Sequence, residues 1–366
     1  MNPQIIITEE IVNRLEQHKD HPVDLFGIAR IEENLVQILS LKPCDELKRV
    51  AQYSEGKIQI DQFDLSISLS EIDPIPILKE FTSRSNGIID TDLLAQKKVV
   101  IIGVGSVGSQ MVLHLAQSSI GHFVLLDPDR FSAANLSRHI CDLNDLGRYK
   151  TLAVKDTILR RNPGAEVQTF EEDFLKLTWD EQVARIKGSD LVIAGADSNA
   201  AEFMINEVCH SLGIPSLHAG CYERACAGEI LFVIPGKTPC FNCFMEFRQS
   251  NLKEAKKKER RIPYSDEDPD SFKGEPGLAI DISYIVSIAS AYALAILVQD
   301  SERRSLLDLQ RNLILVHSGN PPKGNYKEIF RMPFDLLLAK VKRDEKCLVC
   351  SQSIEGEKDA SATQSS

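Results

Sequence analysis

The chain has 366 residues, 43% of them hydrophobic, and a formal net charge of −11. This length and apolar content suit one large α/β domain with a smaller partner, and the acidic balance repels phosphate backbones, arguing against nucleic acid as a partner. Nine cysteines, an odd number, in a chain that opens without a secretory pattern argue against a disulfide framework. They point to a reduced, cytoplasmic setting with thiols free for metal.

Residues 1–80 read as a small N-terminal module. Ile58-Gln59-Ile60 and Leu65 to Leu69 alternate like strands. Asp73-Pro74-Ile75-Pro76 breaks regular structure and is expected to be a linker. Residues 81–350 form the main domain. Lys98 to Ile102, Phe123 to Asp127 and Asp190 to Ala194 are short continuous apolar runs, as expected of parallel strands covered on both faces. Helical spacing follows them at Gln110–Gln117, Gly147–Arg161 and Ala200–Leu212, and a further strand is expected at Ser216–Ala219. Strands alternating with helices predict a Rossmann-like, doubly wound, mainly parallel sheet. Residues 250–277 run from strongly basic to acidic and are expected to be a mobile excursion. Ile282–Val298 is uncharged and apolar, but short for a membrane span and interrupted by serines, so a buried core helix is the reading and no membrane is expected. Residues 351–366 have the composition of a disordered tail.

Gly103-Val104-Gly105-Ser106-Val107-Gly108 is a G-x-G-x-x-G between a strand and a helix. Its glycines permit a tight turn and close approach of phosphate to the helix N-terminus. Asp127 ends the second strand about 20 residues on, where a carboxylate can hold ribose hydroxyls. Such a fingerprint by default suggests a dinucleotide oxidoreductase. Asp129, Asn135, Arg138 and Lys150 follow within about two dozen residues. Hydride transfer needs no such cluster, whereas a triphosphate does: Arg and Lys neutralise charge on the α-phosphate and on departing pyrophosphate.

These segments, with Asp127-Pro128-Asp129, Asn135-Leu136-Ser137-Arg138, Gly147-Arg148-Tyr149-Lys150 and Ala196-Asp197-Ser198-Asn199, together resemble the ThiF/MoeB/HesA family over about residues 80–350. These are the adenylyltransferases of thiamine and molybdopterin biosynthesis, related to ubiquitin-activating enzymes. The resemblance implies that a residue matching Asp127 holds the ribose of ATP. It implies that residues matching Asn135, Arg138 and Lys150 hold phosphates, and that a carboxylate matching Asp197 holds Mg²⁺. It also implies a homodimer in which an arginine matching Arg84 reaches the neighbouring subunit's site. His139 stands where the family usually has glutamine; a filler role is expected of it rather than acid–base work.

Cys240-x₂-Cys243 and Cys347-x₂-Cys350 have the spacing of two zinc knuckles, which together make a closed, structural four-thiolate site. Thioester-forming relatives carry a cysteine in the loop after the first pair, but none lies between Cys243 and Cys347 here. Cys209 reads as core; Cys221 and Cys226 follow a strand and are expected to pack rather than react. The layout is similar to the peptide-adenylating enzymes of microcin maturation, in which an N-terminal module clamps the peptide. The resemblance therefore implies activation, as an acyl-adenylate, of the C-terminal carboxylate of a ubiquitin-like or sulfur-carrier protein or of a peptide, without a thiol of the chain's own. A cysteine-using activating enzyme and a non-catalytic nucleotide-binding scaffold are the alternatives.

Overall fold

A computed structural model describes residues 3–17, 21–41, 47–196, 198–248, 277–302, 307–319, 330 and 332–351. The expected excursion (apart from Gly277), the expected tail beyond Ser351, Cys44 and Asp197 lie outside the described residues. The chain divides into two compact units, Met1–Arg84 and Ser85–Ser366.

The first unit holds β1 (Gln4–Ile7), α1 (Glu9–Gln17), β2 (Val23–Arg30), β3 (Leu35–Ser40), β4 (Lys48–Ser54), β5 (Lys57–Ile60), β6 (Leu65–Ser68) and α2 (Ile77–Thr82). Its sheet runs β1-β3-β2-β4-β5-β6, with β1 parallel to β3 and the other pairs antiparallel. The alternation at Ile58-Gln59-Ile60 is that of a half-buried strand: both isoleucines are buried and the glutamine is exposed. Glu55 and Gly56, both at positive φ, turn β4 into β5. Ile11 and Leu15 of α1 join Leu25, Ile38 and Ile58 in one core. The Asp73–Pro76 stretch is not a free linker. Ile75 N–H donates to Ile7 O at 2.9 Å and Glu9 N–H to Ile75 O at 3.2 Å, so the prolines end a segment bound to the edge of β1.

The second unit holds α3 (Thr91–Ala95), β7 (Lys98–Ile102), α4 (Ser106–Gln117), β8 (His122–Leu126), α5 (Lys150–Arg161), β9 (Glu166–Phe170), α6 (Trp179–Ile186), β10 (Leu191–Ala194), α7 (Asn199–Leu212), β11 (Ser216–Cys221) and β12 (Ala227–Val233). Helical residues 241–248 (α8), then α9 (Ala279–Leu297), β13 (Leu313–His317) and β14 (Leu336–Ala339), complete it. The eight-stranded sheet runs β14-β13-β12-β11-β10-β7-β8-β9. Strands β9, β8, β7, β10 and β11 are parallel, and β12 to β14 continue antiparallel.

The double winding explains the unbroken apolar runs. Val99, Ile101, Phe123, Leu125, Leu191 and Ile193 enter one core with residues of α4, α5 and α9. Val100, Ile102, Val124, Leu126, Val192 and Ala194 enter another with residues of α6 and α7. The uncharged segment is α9, which is long and apolar enough to cross a membrane; it lies in the core instead, with Ile282, Ile285, Val286, Ala289, Ala293 and Ile296 buried. Ile285 seats on Gly228 of β12, where a Cβ would lie 2.5 Å from its Cγ2. Ile285→Ala is therefore expected to lower unfolding free energy by about 2–5 kcal/mol, read from denaturant unfolding. A loss below about 1 kcal/mol would contradict this seating.

Candidate active site

The parallel strands end at one edge of the sheet, and the glycine turn lies there. Gly103 leaves β7 at φ +91. A Cβ on Gly103 would come within 2.6 Å of Gly195, just after β10, and one on Gly108 would lie 2.0 Å from Gly103 O. These two glycines therefore close-pack the turn. Gly195 completes that contact, since a Cβ there would lie 2.4 Å from Gly103 O. The sequence reading missed it; its signal was a glycine directly after the buried run ending at Ala194. Gly105 differs: it caps α4, and a Cβ there would meet nothing within 4 Å. The fold leaves space at Gly105, as an anion at a helix N-terminus requires.

Asp127 follows β8, is only 6% exposed and uses both carboxylate oxygens. Oδ2 accepts from Val104 N–H at 2.8 Å, inside the glycine turn, and Oδ1 accepts from Asp129 N–H at 2.9 Å. Burial raises its pKa, while Lys150 and the two N–H donors oppose the shift. Lys150, the first residue of α5, is buried; its Nζ lies 2.7 Å from Asp129 Oδ2 and 3.9 Å from Asp127 Oδ1. A short ribbon fixes it there: Phe131 N–H donates to Arg148 O at 2.8 Å and Lys150 N–H to Asp129 O at 3.0 Å.

Asn135 sits in a 3-10 turn at Ala133–Asn135, where its carbonyl oxygen accepts from Ser132 N–H and Oγ–H, both at 3.0 Å. Its NH₂ group is the donor it has to offer an anion. Arg138 is half-buried, and its carbonyl accepts from Gln110 Nε2 at 3.2 Å. Arg148 is a structural residue, paired with Asp145 at 2.7 Å and with Asp156. His139 donates from Nε2 to Val104 O at 2.8 Å and accepts at Nδ1 from Cys141 N–H at 3.1 Å, the neutral tautomer these partners require. Burial lowers its pKa, so it braces the glycine turn and has no ring nitrogen left for proton transfer. The geometry thus brings together Gly103, Gly105, Gly108, Asp127, Asp129 and Lys150. Arg84 is exposed at the end of the first unit.

Cys240, Cys243, Cys347 and Cys350 are buried, with all four sulfurs within 4.8 Å of one another. Among the described residues no other His, Cys, Asp and Glu side chains gather in this way. Asp344 N–H donates to Cys243 Sγ at 3.4 Å, and hydrogen bonds, that of Cys240 foremost, hold the Cys243 thiol well below its ordinary value. A set of four sulfurs so placed fits a tetrahedral ion such as zinc. Cys226 and Cys209 are buried. Cys221 keeps exposed surface at the end of β11, against expectation. The protein around its sulfur nonetheless pushes the thiol up to about 12; Arg138 opposes the shift and Asp281 adds to it. It is a weak nucleophile at neutral pH.

Two neighbouring glycines separate fold from ligand. Gly108→Ala is expected to lower the thermal midpoint, and Gly105→Ala to leave it near wild type while weakening Mg·ATP binding by calorimetry. Equal ATP affinity in wild type and the Gly105 variant would contradict an anion at this turn.

Known proteins resemble the chain in sequence and in fold. The C. elegans ubiquitin-like modifier-activating enzyme 5 is 28% identical over 246 residues, 65% of this chain and 57% of that protein. The Drosophila erecta protein of the same name is 33% identical over 169 residues, 44% of this chain and 42% of its own. The chain thus spans about half the length of the curated relatives it matches. In fold it is similar to E. coli MccB crystallised with ATP, at a TM-score of 0.52 and 22% identity over 71% of this chain and 68% of that one. Residues 83–325 match the ThiF family, and the chain belongs to it.

Proposed function

We propose that the chain is an ATP-dependent adenylyltransferase that activates the C-terminal carboxylate of a ubiquitin-like or sulfur-carrier protein, or of a peptide, as an acyl-adenylate. The observation that carries this reading is the Asp127–Lys150 frame at the glycine turn of a ThiF-family chain. Relatives named as ubiquitin-like modifier-activating enzymes and a fold neighbour crystallised with N-formylated MccA support the substrate class.

In this reading phosphates lie over Gly105, and Asp127 and Asp129 take the ribose side. Asn135, Arg138 and Lys150 hold the phosphates, and Asp197 holds Mg²⁺. A substrate carboxylate oxygen attacks the α-phosphorus, the bond to the β-phosphate oxygen breaks, and pyrophosphate leaves. The protein supplies orientation and positive charge; none of its side chains becomes a nucleophile. Lys150 exchanges part of its pairing with Asp129 for phosphate, so the charge is in place before ATP arrives. Cys240, Cys243, Cys347 and Cys350 would hold zinc, whose role there would be structural. The enzyme works in the cytoplasm as a homodimer, with Arg84 serving the neighbouring subunit, and the first unit clamps the substrate.

Arg138→Ala and Lys150→Ala are each expected to reduce substrate-dependent ATP–pyrophosphate exchange by about 10²–10³ with the fold retained. Near-normal exchange would remove these roles, and no exchange in wild type with any candidate substrate would favour a nucleotide-binding scaffold. Freshly purified protein is expected to carry one zinc per chain by elemental analysis, and Cys243→Ser to lower its thermal midpoint.

Exposure of Cys221, within electrostatic reach of Arg138, favours one rival, a thioester on that sulfur. Replacing Cys221 and Cys226 together by Ser is expected to leave exchange intact. A reductant-sensitive adduct on non-reducing gels, lost in the double variant, would establish the rival.

A further inference from the structure

The sheet of the first unit has two edges. That of β1 is taken by the Ile75 segment, which bonds to Ile7 O and accepts from Glu9 N–H. Strand β6 (Leu65–Ser68) is the other edge, and among the described residues no strand lies beyond it. Leu69 N–H donates to Gly56 O at 2.8 Å, which fixes the alternation of the antiparallel ladder. Leu65 and Ile67 exchange their main-chain bonds with β5, and the N–H and C=O groups of Ser66 and Ser68 face away from it. Ser66 is exposed.

Edge strands are usually blunted by lysine, proline or a bulge, because an open edge is a template for another strand. Leu65-Ser66-Ile67-Ser68 carries no charge and no proline, and it pairs with β5 without a register shift. One flank of this edge is apolar: Phe63, Leu65, Ile67 and Ile72 pack on the core of the unit yet stay only partly buried. Its ends are acidic. Asp64 precedes the strand, Glu71 and Asp73 follow it, and all three are exposed. Lys57 is the only base among residues 54–73, against Glu55, Asp61, Asp64, Glu71 and Asp73. Of these acids, Asp61 meets Arg49 at 3.3 Å.

We propose that β6 is a docking edge for an extended segment of a partner polypeptide, apolar at alternate positions and basic beyond both ends, which adds to the sheet as a further strand. The outward N–H and C=O groups of Ser66 and Ser68 supply the main-chain bonds. Side chains opposite Leu65 and Ile67 share their face and cover the half-exposed apolar flank. The basic ends meet Asp64 and Glu71. A second copy of the chain is the poorer occupant: antiparallel pairing of β6 with itself sets the acids at its ends against acids, in a chain of net charge −11. The biological source of the segment rests on the reading of the first unit as the substrate clamp. Pairing is measured without ATP, so its failure and the failure of adenylation are separate results.

The test uses the full chain and a labelled peptide with an alternating Val-Thr core and two lysines at each end. Fluorescence anisotropy is expected to show saturable binding that weakens with added salt. A glutamate-ended peptide, and a lysine-ended one with its core amides N-methylated, are each expected to bind at least about tenfold more weakly. Hydrogen exchange of the wild type is expected to slow at the Ser66 and Ser68 amides when the peptide binds. Ser66→Pro removes an outward donor and no bond to β5, and is expected to weaken binding at least about tenfold with the thermal midpoint near wild type. Exchange is read on wild type, so a poorly folding variant does not remove the test. No binding of the lysine-ended peptide, equal binding of the N-methylated or glutamate-ended one, or slowed exchange only outside residues 63–73 would overturn the proposal. Slowed exchange at Ser66 and Ser68 that follows protein concentration without peptide would give the edge to a second copy and overturn it as well.

Discussion

The edge of the sheet that carries the glycine turn depends on one buried carboxylate. Asp127 joins the glycine turn, through Val104 N–H, to the loop after β8, through Asp129 N–H, and stands 3.9 Å from Lys150. Removing either donor would leave charge buried with less compensation, which costs several times an ordinary hydrogen bond. The carboxylate can occupy this place because β7 and β8 are covered on both faces and cannot shift in register without burying polar groups. Strand burial thus sets the position of Asp127, Asp127 shapes the turn, and the turn leaves the space beside Gly105.

Positive charge reaches the same edge by folding rather than by sequence proximity. Lys150 is held by backbone pairing between the loop after β8 and the start of α5, and Asp129 keeps it paired at 2.7 Å. Preorganised charge of this kind needs little reorganisation when a polyanion arrives. Arg148, two residues earlier, faces Asp145 and Asp156 and steadies the N-terminal end of the same helix.

What could be read from the chain follows from burial. Strands β7, β8 and β10 were legible because both faces are covered and every residue after Lys98 and His122, which open β7 and β8, is apolar. The same holds for α9 and for the paired cysteines, whose sulfurs meet despite a separation of 107 residues. Strand β9 escaped notice because Glu166-Val167-Gln168-Thr169-Phe170 is an edge strand with polar positions, and β13 because its partner β12 is remote in sequence. Asp73–Pro76 looked like a linker because prolines break regular patterns, yet its backbone bonds to β1. Within the candidate site, the glycines, Asp127, Asp129 and Lys150 were legible as spaced motifs. The packing role of Gly195 was not, because it arises from contact with Gly103 in a segment far away along the chain; the capping of Asn135 and the pairing of Arg148 were not, because a spaced motif does not show which near neighbour a side chain turns to.

The most direct measurement is a crystal structure of the protein with Mg·ATP. The account predicts phosphate oxygens within hydrogen-bond distance of the backbone at Gly105 and of Lys150 Nζ, with the ribose on the Asp127 side. A nucleotide bound elsewhere, or a site that takes NAD and refuses ATP, would contradict it.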